Sequence, residues 1–422
     1  MNEAAVFSKV AWRLLPLMVL LYVVSFLDRV NVGFAALSMN ADLNFSPAIY
    51  GFGAGIFFWG YFLFELPSNL IMARVGARIW IFRIMLSWGL VSMATIFVHT
   101  PTQFYAIRFL LGLAEAGFFP GMILYLTYWF PGSIRARYFA LFLAAVPLAN
   151  IVGGPISGAI LSMGHLWGLK DWQWLFIIEG IPACVLAFVV LIWLPDGPGS
   201  AHWLSAYEKA QLAARLASEP EPAHLGLATL FTDIRVWLCT LVYFGIVVAT
   251  YGVNFWLPQI VKAMGYTNFQ TGLWVTVPYL LSVPFMVRVA RSSDLRGERI
   301  WHAAGVCALA AVGLVVTASG GAHWLEIAGL CLAIAGIMGA LGVFWTLPTS
   351  IMGQIAAAGG IAVVNSVGNL GGFFGPVIIG GLTQMTGNFR YGLAAIALEM
   401  LAVAAVVLLL GRLLPLRPAA PA

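Results

Sequence analysis

Runs of about twenty apolar residues recur along the whole chain, each cut by a short turn that is polar or rich in proline and glycine. An α-helix rises 1.5 Å per residue, so about twenty such residues cross a ~30 Å hydrocarbon core. The pattern predicts twelve spans, at 12–39, 48–73, 79–98, 102–129, 136–163, 173–194, 236–262, 271–290, 300–319, 324–347, 358–384 and 390–413. Between the sixth and seventh lies one long polar stretch, 195–235, carrying Pro195, Asp196, Pro198, Glu208, Lys209, Arg215, Glu219, Glu221 and Asp233. The expected fold is therefore an all-α polytopic membrane protein with two pseudo-symmetric six-helix bundles, 1–194 and 236–422, joined by a cytoplasmic linker at 195–235. Lys9 and Arg13 precede the first run, and Gly33-Phe34-Ala35 mimics a cleavage site, but Asp28-Arg29 interrupts the run and it continues to Met39. The first span reads as a retained helix.

Composition sharpens this reading. Of the 422 residues 62% are hydrophobic and only 9% charged, against about 25% charged in soluble domains, so the bilayer must solvate most of the chain. The net charge of +5 belongs to the loops and implies no nucleic-acid partner. With odd-numbered spans running outward, sixteen lysines and arginines fall inside: Lys9, Arg13, Arg74, Arg78, Arg83, Arg135, Arg137, Lys209, Arg215, Arg235, Arg288, Arg291, Arg296, Arg299, Arg412 and Arg417. Only Lys170, Lys262 and Arg390 fall outside. This bias places both termini in the cytoplasm. The cysteines Cys184, Cys239, Cys307 and Cys331 lie far apart in apolar stretches and read as packing residues, with no metal spacing.

Two arginines, Arg29 and Arg108, fall within spans, where an ionisable group costs roughly 2.5–3.5 kcal/mol or more and marks a functional site. Asp28 lies about 21 Å along the first span beyond Leu14, and Arg108 about 8 Å along the fourth from the opposite face, so Asp28, Arg29 and Arg108 share a depth. Glu115 is two turns beyond Arg108, near the midplane. A column of two arginines and two carboxyls on one face is the expected arrangement. The arginine fork binds a carboxylate bidentately and keeps its charge, whereas a buried Asp or Glu can take up and release a proton as its surroundings change. Glu115, at mid-depth, is the first choice for proton coupling and Asp28 the second. A static ion-pair cluster is the alternative. Glu65 reads as a structural partner of a loop arginine, and Glu179 and Glu399 as structural. The six histidines fall mostly in loops or at helix ends and do not form a relay. Asn150 through Pro155 reads as a hinge or tight packing site.

Two internal echoes link the halves. Asn69 through Arg78 and Ala290 through Arg299 are both basic, glycine-containing turns, and Gly153-Gly154-Pro155-Ile-Ser-Gly158 is echoed by Gly371-Gly372-Phe-Phe-Gly375-Pro376. The first pair resembles the loop motif Gly-x-x-x-Asp-Arg-x-Gly-Arg of the major facilitator superfamily, matched at Arg74, Gly76 and Arg78. Asn69 and Ala73 replace its glycine and acid, and Asp294 keeps the acid in the second half. Longer stretches make the whole chain resemble the bacterial anion:cation symporter family. They are Phe26 through Gly33, Gly55 through Asn69, Arg108 through Gly121, Ala201 through Glu208 and Asn365 through Gly372. The pattern is most similar to that of the proteins assigned to tartrate. The resemblance implies the major facilitator fold and a bacterial inner-membrane carrier that works as a monomer, importing a small organic anion with a proton. Tartrate-like hydroxy acids, sugar acids and aromatic carboxylates are the implied substrates. It implies anion binding at Arg29 and Arg108 and proton sensitivity at Asp28 and Glu115. It also implies a cavity lined by Tyr61, Trp345, Thr346, Asn365 and Asn369, and a cytoplasmic gate at Arg74, Gly76, Arg78, Asp294 and Arg299.

The chain carries no Gly-x-x-x-x-Gly-Lys-Ser/Thr loop and no His-Glu-x-x-His, so an ATP-driven pump and a metalloprotease are disfavoured, and no cofactor is expected beyond the proton gradient. An organic-anion exchanger or exporter remains open. A membrane anion sensor is the reading from another class, and the short linker and tails leave it no expected signalling domain.

Overall fold

The apolar runs become helices throughout. The computed structural model describes residues 3–218 and 233–413, with the side chains of 4, 136, 349–359, 362 and 413 outside that description. Glu219, Glu221 and Arg417 therefore fall outside the described residues. The first half contains α1 (Glu3–Asp42), α2 (Pro47–Val75), α3 (Ala77–Ala94), α4 (Pro101–Glu115), α5 (Phe118–Thr127), α6 (Gly132–Leu143), α7 (Ala145–Ile160) and α8 (Asp171–Trp193). The linker forms α9 (Ala206–Ala217). The second half contains α10 (Ile234–Lys262), α11 (Asn268–Arg296), α12 (Ile300–Ala318), α13 (His323–Phe344), α14 (Thr346–Asn369), α15 (Gly371–Thr386) and α16 (Arg390–Leu413). Among the described residues twelve helical spans are long and apolar enough to cross a membrane, as expected from the sequence.

Three spans depart from the single helices expected. The fourth breaks at Ala116-Gly117, where Gly117 takes a left-handed φ of +87°, so Glu115 is the last residue of α4. The fifth is broken at Ala144, between α6 and α7, and α14 and α15 meet at Leu370. Arg83, counted on the cytoplasmic side, lies near the start of α3 with its guanidinium 4.0 Å from the Trp80 ring centre. Polar caps start the helices: Ser46 and Thr100 accept from the backbone of Ile49 and Gln103 ahead of Pro47 and Pro101, which need no N–H at that position.

Glycines set the close helix crossings. At the end of the molecule bearing few basic residues, α7 crosses α11 and α2 crosses α15. A Cβ on Gly158 would lie 2.9 Å from the Asn268 carbonyl, and one on Gly154 would collide with the carbonyl of Gly272. On the other crossing, a Cβ on Gly51 would lie 2.5 Å from the Pro376 carbonyl and one on Gly55 2.7 Å from that of Phe373. Small residues let these backbones touch. Glycines thus let the two halves meet at two crossings, whereas Gly371 and Gly375 of the second-half echo press on the backbone of α10 within their own half. Neutral hydrogen bonds reinforce the seam, including Tyr50 Oη donating to Phe255 O at 2.7 Å and Asn268 Nδ2 to Leu161 O at 3.1 Å.

At the opposite, basic end, α9 is tied to the first helix. Lys9 donates to both carboxylate oxygens of Glu208 at 2.9 Å, and Arg215 pairs with Glu3 at 3.2 Å. Trp203 stacks on Trp129 with ring centres 5.7 Å apart.

Candidate functional site

The close crossing of α2 and α4 builds the site. Gly60 and Gly112 let each helix press on the other's backbone, since a Cβ on either would strike a carbonyl of its neighbour. That approach carries Arg108 of α4 over Phe57 of α2, with 5.3 Å between the guanidinium carbon and the ring centre. Arg29 of α1 faces the same ring at 5.4 Å and Tyr61 at 5.3 Å. Both arginines are buried, Arg108 at 1% exposure.

Their surroundings differ. Arg29 is ion-paired with Glu115, which also accepts from Ser25 Oγ at 2.8 Å, and Arg29 Nη1 donates to Tyr251 Oη of α10 at 3.0 Å. Arg108 has Phe57 on one side and Phe255 of α10 at 6.0 Å, and all three of its guanidinium nitrogens are buried without a hydrogen-bond partner. A buried, unpaired cation costs several kcal/mol. The five donors of its fork are arranged to receive a carboxylate.

The expected four-residue column is brought together only in part. Arg29, Arg108 and Glu115 converge, with Tyr61 against Arg29. Asp28 points away from them toward α3, because successive helix residues are about 100° apart. Its carboxylate accepts from Trp88 Nε1 at 2.7 Å, Ser92 Oγ at 2.9 Å and Asn31 Nδ2 at 3.3 Å. Asn365 of α14 meets Glu65: its amide donates to Glu65 Oε1 at 2.8 Å, and Ser366 Oγ donates to Oε2 at 3.2 Å. Glu65 thus joins the two halves instead of pairing with a loop arginine. Trp345 caps the junction of α13 and α14 with its ring 4.7 Å from that of Tyr243, and the Thr346 hydroxyl donates to Val343 O at 2.7 Å. Asn369 is the half-buried last residue of α14.

Both basic turns hold a glycine at positive φ but differ in shape, Gly76 at φ +99° and ψ 152° and Gly297 in the left-handed helical region at φ +60° and ψ 19°. Arg78 lies 3.7 Å from Asp196, whose carboxylate also accepts from the Arg78 backbone at 2.9 Å, so Asp196 supplies an acid to a turn that carries Ala73 in place of its own. Arg299 pairs with Asp294 at 3.6 Å, and Arg74 ends α2 exposed. Sequence reasoning missed Ser25, Tyr251, Trp88 and Ser92. Ser25 had a local signal, being one helical turn before Arg29; the others come from distant spans.

Comparison with known proteins agrees with this architecture. Residues 18–376 match the family model described as Major Facilitator Superfamily. A protein of Agrobacterium vitis described as "Putative tartrate transporter" is 49% identical over 98% of this chain and 96% of its own length. A quinolone resistance transporter of Acinetobacter baumannii is 39% identical over 94% of this chain and 93% of its own. Among solved structures, a bacterial homolog of the human lysosomal transporter Spinster superposes with a TM-score of 0.78 at 16% identity, covering 99% of both chains. At that identity the likeness concerns the fold alone.

Proposed function

The chain belongs to the major facilitator superfamily, and on that premise we propose that it imports a small organic anion together with a proton. It is a multi-pass bacterial inner-membrane transporter and not an enzyme; the anion, the proton and the direction are the proposal. The observation that carries it is Arg108, a buried guanidinium with no partner on any nitrogen. A carboxylate bound there would offset the cost of that charge. Tartrate-like hydroxy acids, sugar acids and aromatic carboxylates all present the group required, and a relative named for tartrate supports the first class.

Arg29 is held by Glu115 until that carboxyl takes a proton, which would release the guanidinium toward the anion. Protonation and anion binding then favour each other. Both termini are cytoplasmic on this reading, which makes the glycine seam the outer closure. The bundles rock about the site, and the seam parts to admit anion and proton from outside. Uptake into proteoliposomes with an acidic exterior tests the whole proposal: accumulation of labelled anion against its gradient is expected. Accumulation that is unaffected when the pH gradient is collapsed would refute proton coupling.

One observation favours a second reading. The relative named for quinolone resistance suggests export, and the same liposomes decide it by the direction of flux that the proton gradient drives.

A further inference from the structure

Helix α2 makes two unlike contacts with the second half, one on each side of the arginine pair. It lies antiparallel to α14 and α15, and the contacts step along both in order. Gly51 meets Pro376, Gly55 meets Phe373, Phe58 meets Gly372 and Glu65 meets Asn365. The first three are apolar and close, and a Cβ on Gly372 would lie 2.5 Å from the Phe58 ring. The last is polar. The Glu65 carboxylate is buried at 4% exposure and takes one donor on each oxygen, the Asn365 amide at 2.8 Å and the Ser366 hydroxyl at 3.2 Å. Both donors belong to the other half. Tyr61, whose ring lies against Arg29, is one helical turn before Glu65 on the same face. Gly55 and Glu65 are about 15 Å apart along the helix. The arginine pair thus lies between an apolar seam, toward the end with few basic residues, and a hydrogen-bonded contact toward the basic end.

We propose that Glu65 is a gating residue: its bonds to Asn365 and Ser366 close the basic side of the arginine site, and each transport cycle breaks and remakes them. The chemistry suits a reversible closure. A buried carboxylate stripped of its donors is costly, so the halves hold together while water is excluded. Once they part, water supplies the same donors and the contact is released without strain. The apolar seam has no such exchange partner. Because α2 carries Tyr61 and Glu65 on one face, a movement that draws Tyr61 from Arg29 also pulls Glu65 from α14. One helix therefore joins the arginine site to the closure beneath it. This rests on the reading that the halves rock about the site, and not on the anion, the proton or the direction of transport.

Distance measurement between spin labels on the full-length protein in lipid tests the gate without transport. Val75 and Leu295 are exposed at the basic ends of α2 and α11, in opposite halves, and cysteines there carry the labels once the four native ones are replaced. The wild type should show a short, closed separation and a longer, open one. Glu65→Ala should raise the open-to-closed ratio about tenfold or more and Ser366→Ala, which removes one bond, about threefold. Glu65→Gln keeps an acceptor for Asn365 and should fall between wild type and Glu65→Ala. Should Glu65→Ala aggregate, Asn365→Ala removes the shorter bond from the other side, with a similar rise expected. The exchange pair Glu65→Gln with Asn365→Asp moves the carboxylate to α14 and lets an amide on α2 donate to it. It should return the ratio to within about threefold of wild type. A single fixed distance in the wild type and every variant would refute the rocking itself. Two populations whose balance ignores both Glu65→Ala and Asn365→Ala, or an exchange pair no better than its worse single variant, would overturn the gate alone.

Discussion

Arg29 and Arg108 face the same phenylalanine ring, yet one is neutralised and the other is not. On the proposed function, that asymmetry divides their roles, with Arg108 the standing anion receptor and Arg29 the one released by protonation. Arg108→Lys replaces a planar fork with a point charge. Loss of one charge-assisted hydrogen bond is worth ~1.5–3 kcal/mol, so anion affinity measured by thermal shift or binding calorimetry should fall roughly 10- to 100-fold. Near-normal affinity would place the anion elsewhere. Glu115→Gln keeps the shape of the protonated acid and cannot release a proton. It should bind anion and support exchange of labelled for unlabelled anion, but fail to accumulate anion uphill. Retained accumulation in both Glu115→Gln and the double variant with Asp28→Asn would remove these two acids from the coupling step. The charged residues themselves were legible in the sequence, because an ionisable group within an apolar run stands out. Their partners were not. The contact of Asp28 with Trp88, or of Glu65 with Asn365, depends on how helices far apart in sequence rotate against each other, and span length does not encode that rotation.

Among the elements, α9 and the glycine crossings make opposite kinds of contact. The helix α9 is started by reciprocal bonds between Ser205 and Glu208 and is then held to α1 by Lys9. The Lys9 ammonium holds the Glu208 carboxylate below its usual range. A lowered folded value means that the contact stabilises above the unfolded value of about 4.3 and is lost as pH falls through the folded one. Hydrogen exchange of 206–217, corrected for intrinsic rate, should be flat between about pH 6 and 8 and rise only below about pH 4. A rise near neutrality would show that another group governs the docking. The crossing of α7 and α11 has no such titration. Gly272→Ala places a methyl against the Gly154 carbonyl, and overpacking of this kind costs ~1–3 kcal/mol. The seam should open about tenfold more often or better. The readout is outside labelling of Asn254→Cys by an impermeant maleimide, with the four native cysteines replaced. Unchanged labelling would mean that the crossing does not govern opening. Gly154 and Gly158 of the first-half echo stand at this crossing, while Gly371 and Gly375 of its second-half counterpart pack on α10. The breaks at Ala116-Gly117 and Ala144 had no comparable signal, since the apolar pattern continues across them.

At the scale of the whole molecule, the twelve spans follow from hydropathy alone, because a bilayer requires every crossing segment to satisfy its own backbone. Orientation rests on the basic loops, and a C-terminal alkaline phosphatase fusion, active only in the periplasm, should be silent. A strong signal would invert the assignment of the seam as the outer closure. That seam has a consequence for how the protein senses its surroundings. The contacts described across it are backbone on backbone and neutral hydrogen bonds. Charge screening acts on charges, so ionic strength outside has almost no purchase on this closure. It is set by shape. An external rise in salt should leave its opening rate unmoved, and it is an anion or a proton reaching the buried arginines and Glu115, or a change in temperature, that shifts how often the carrier faces the medium.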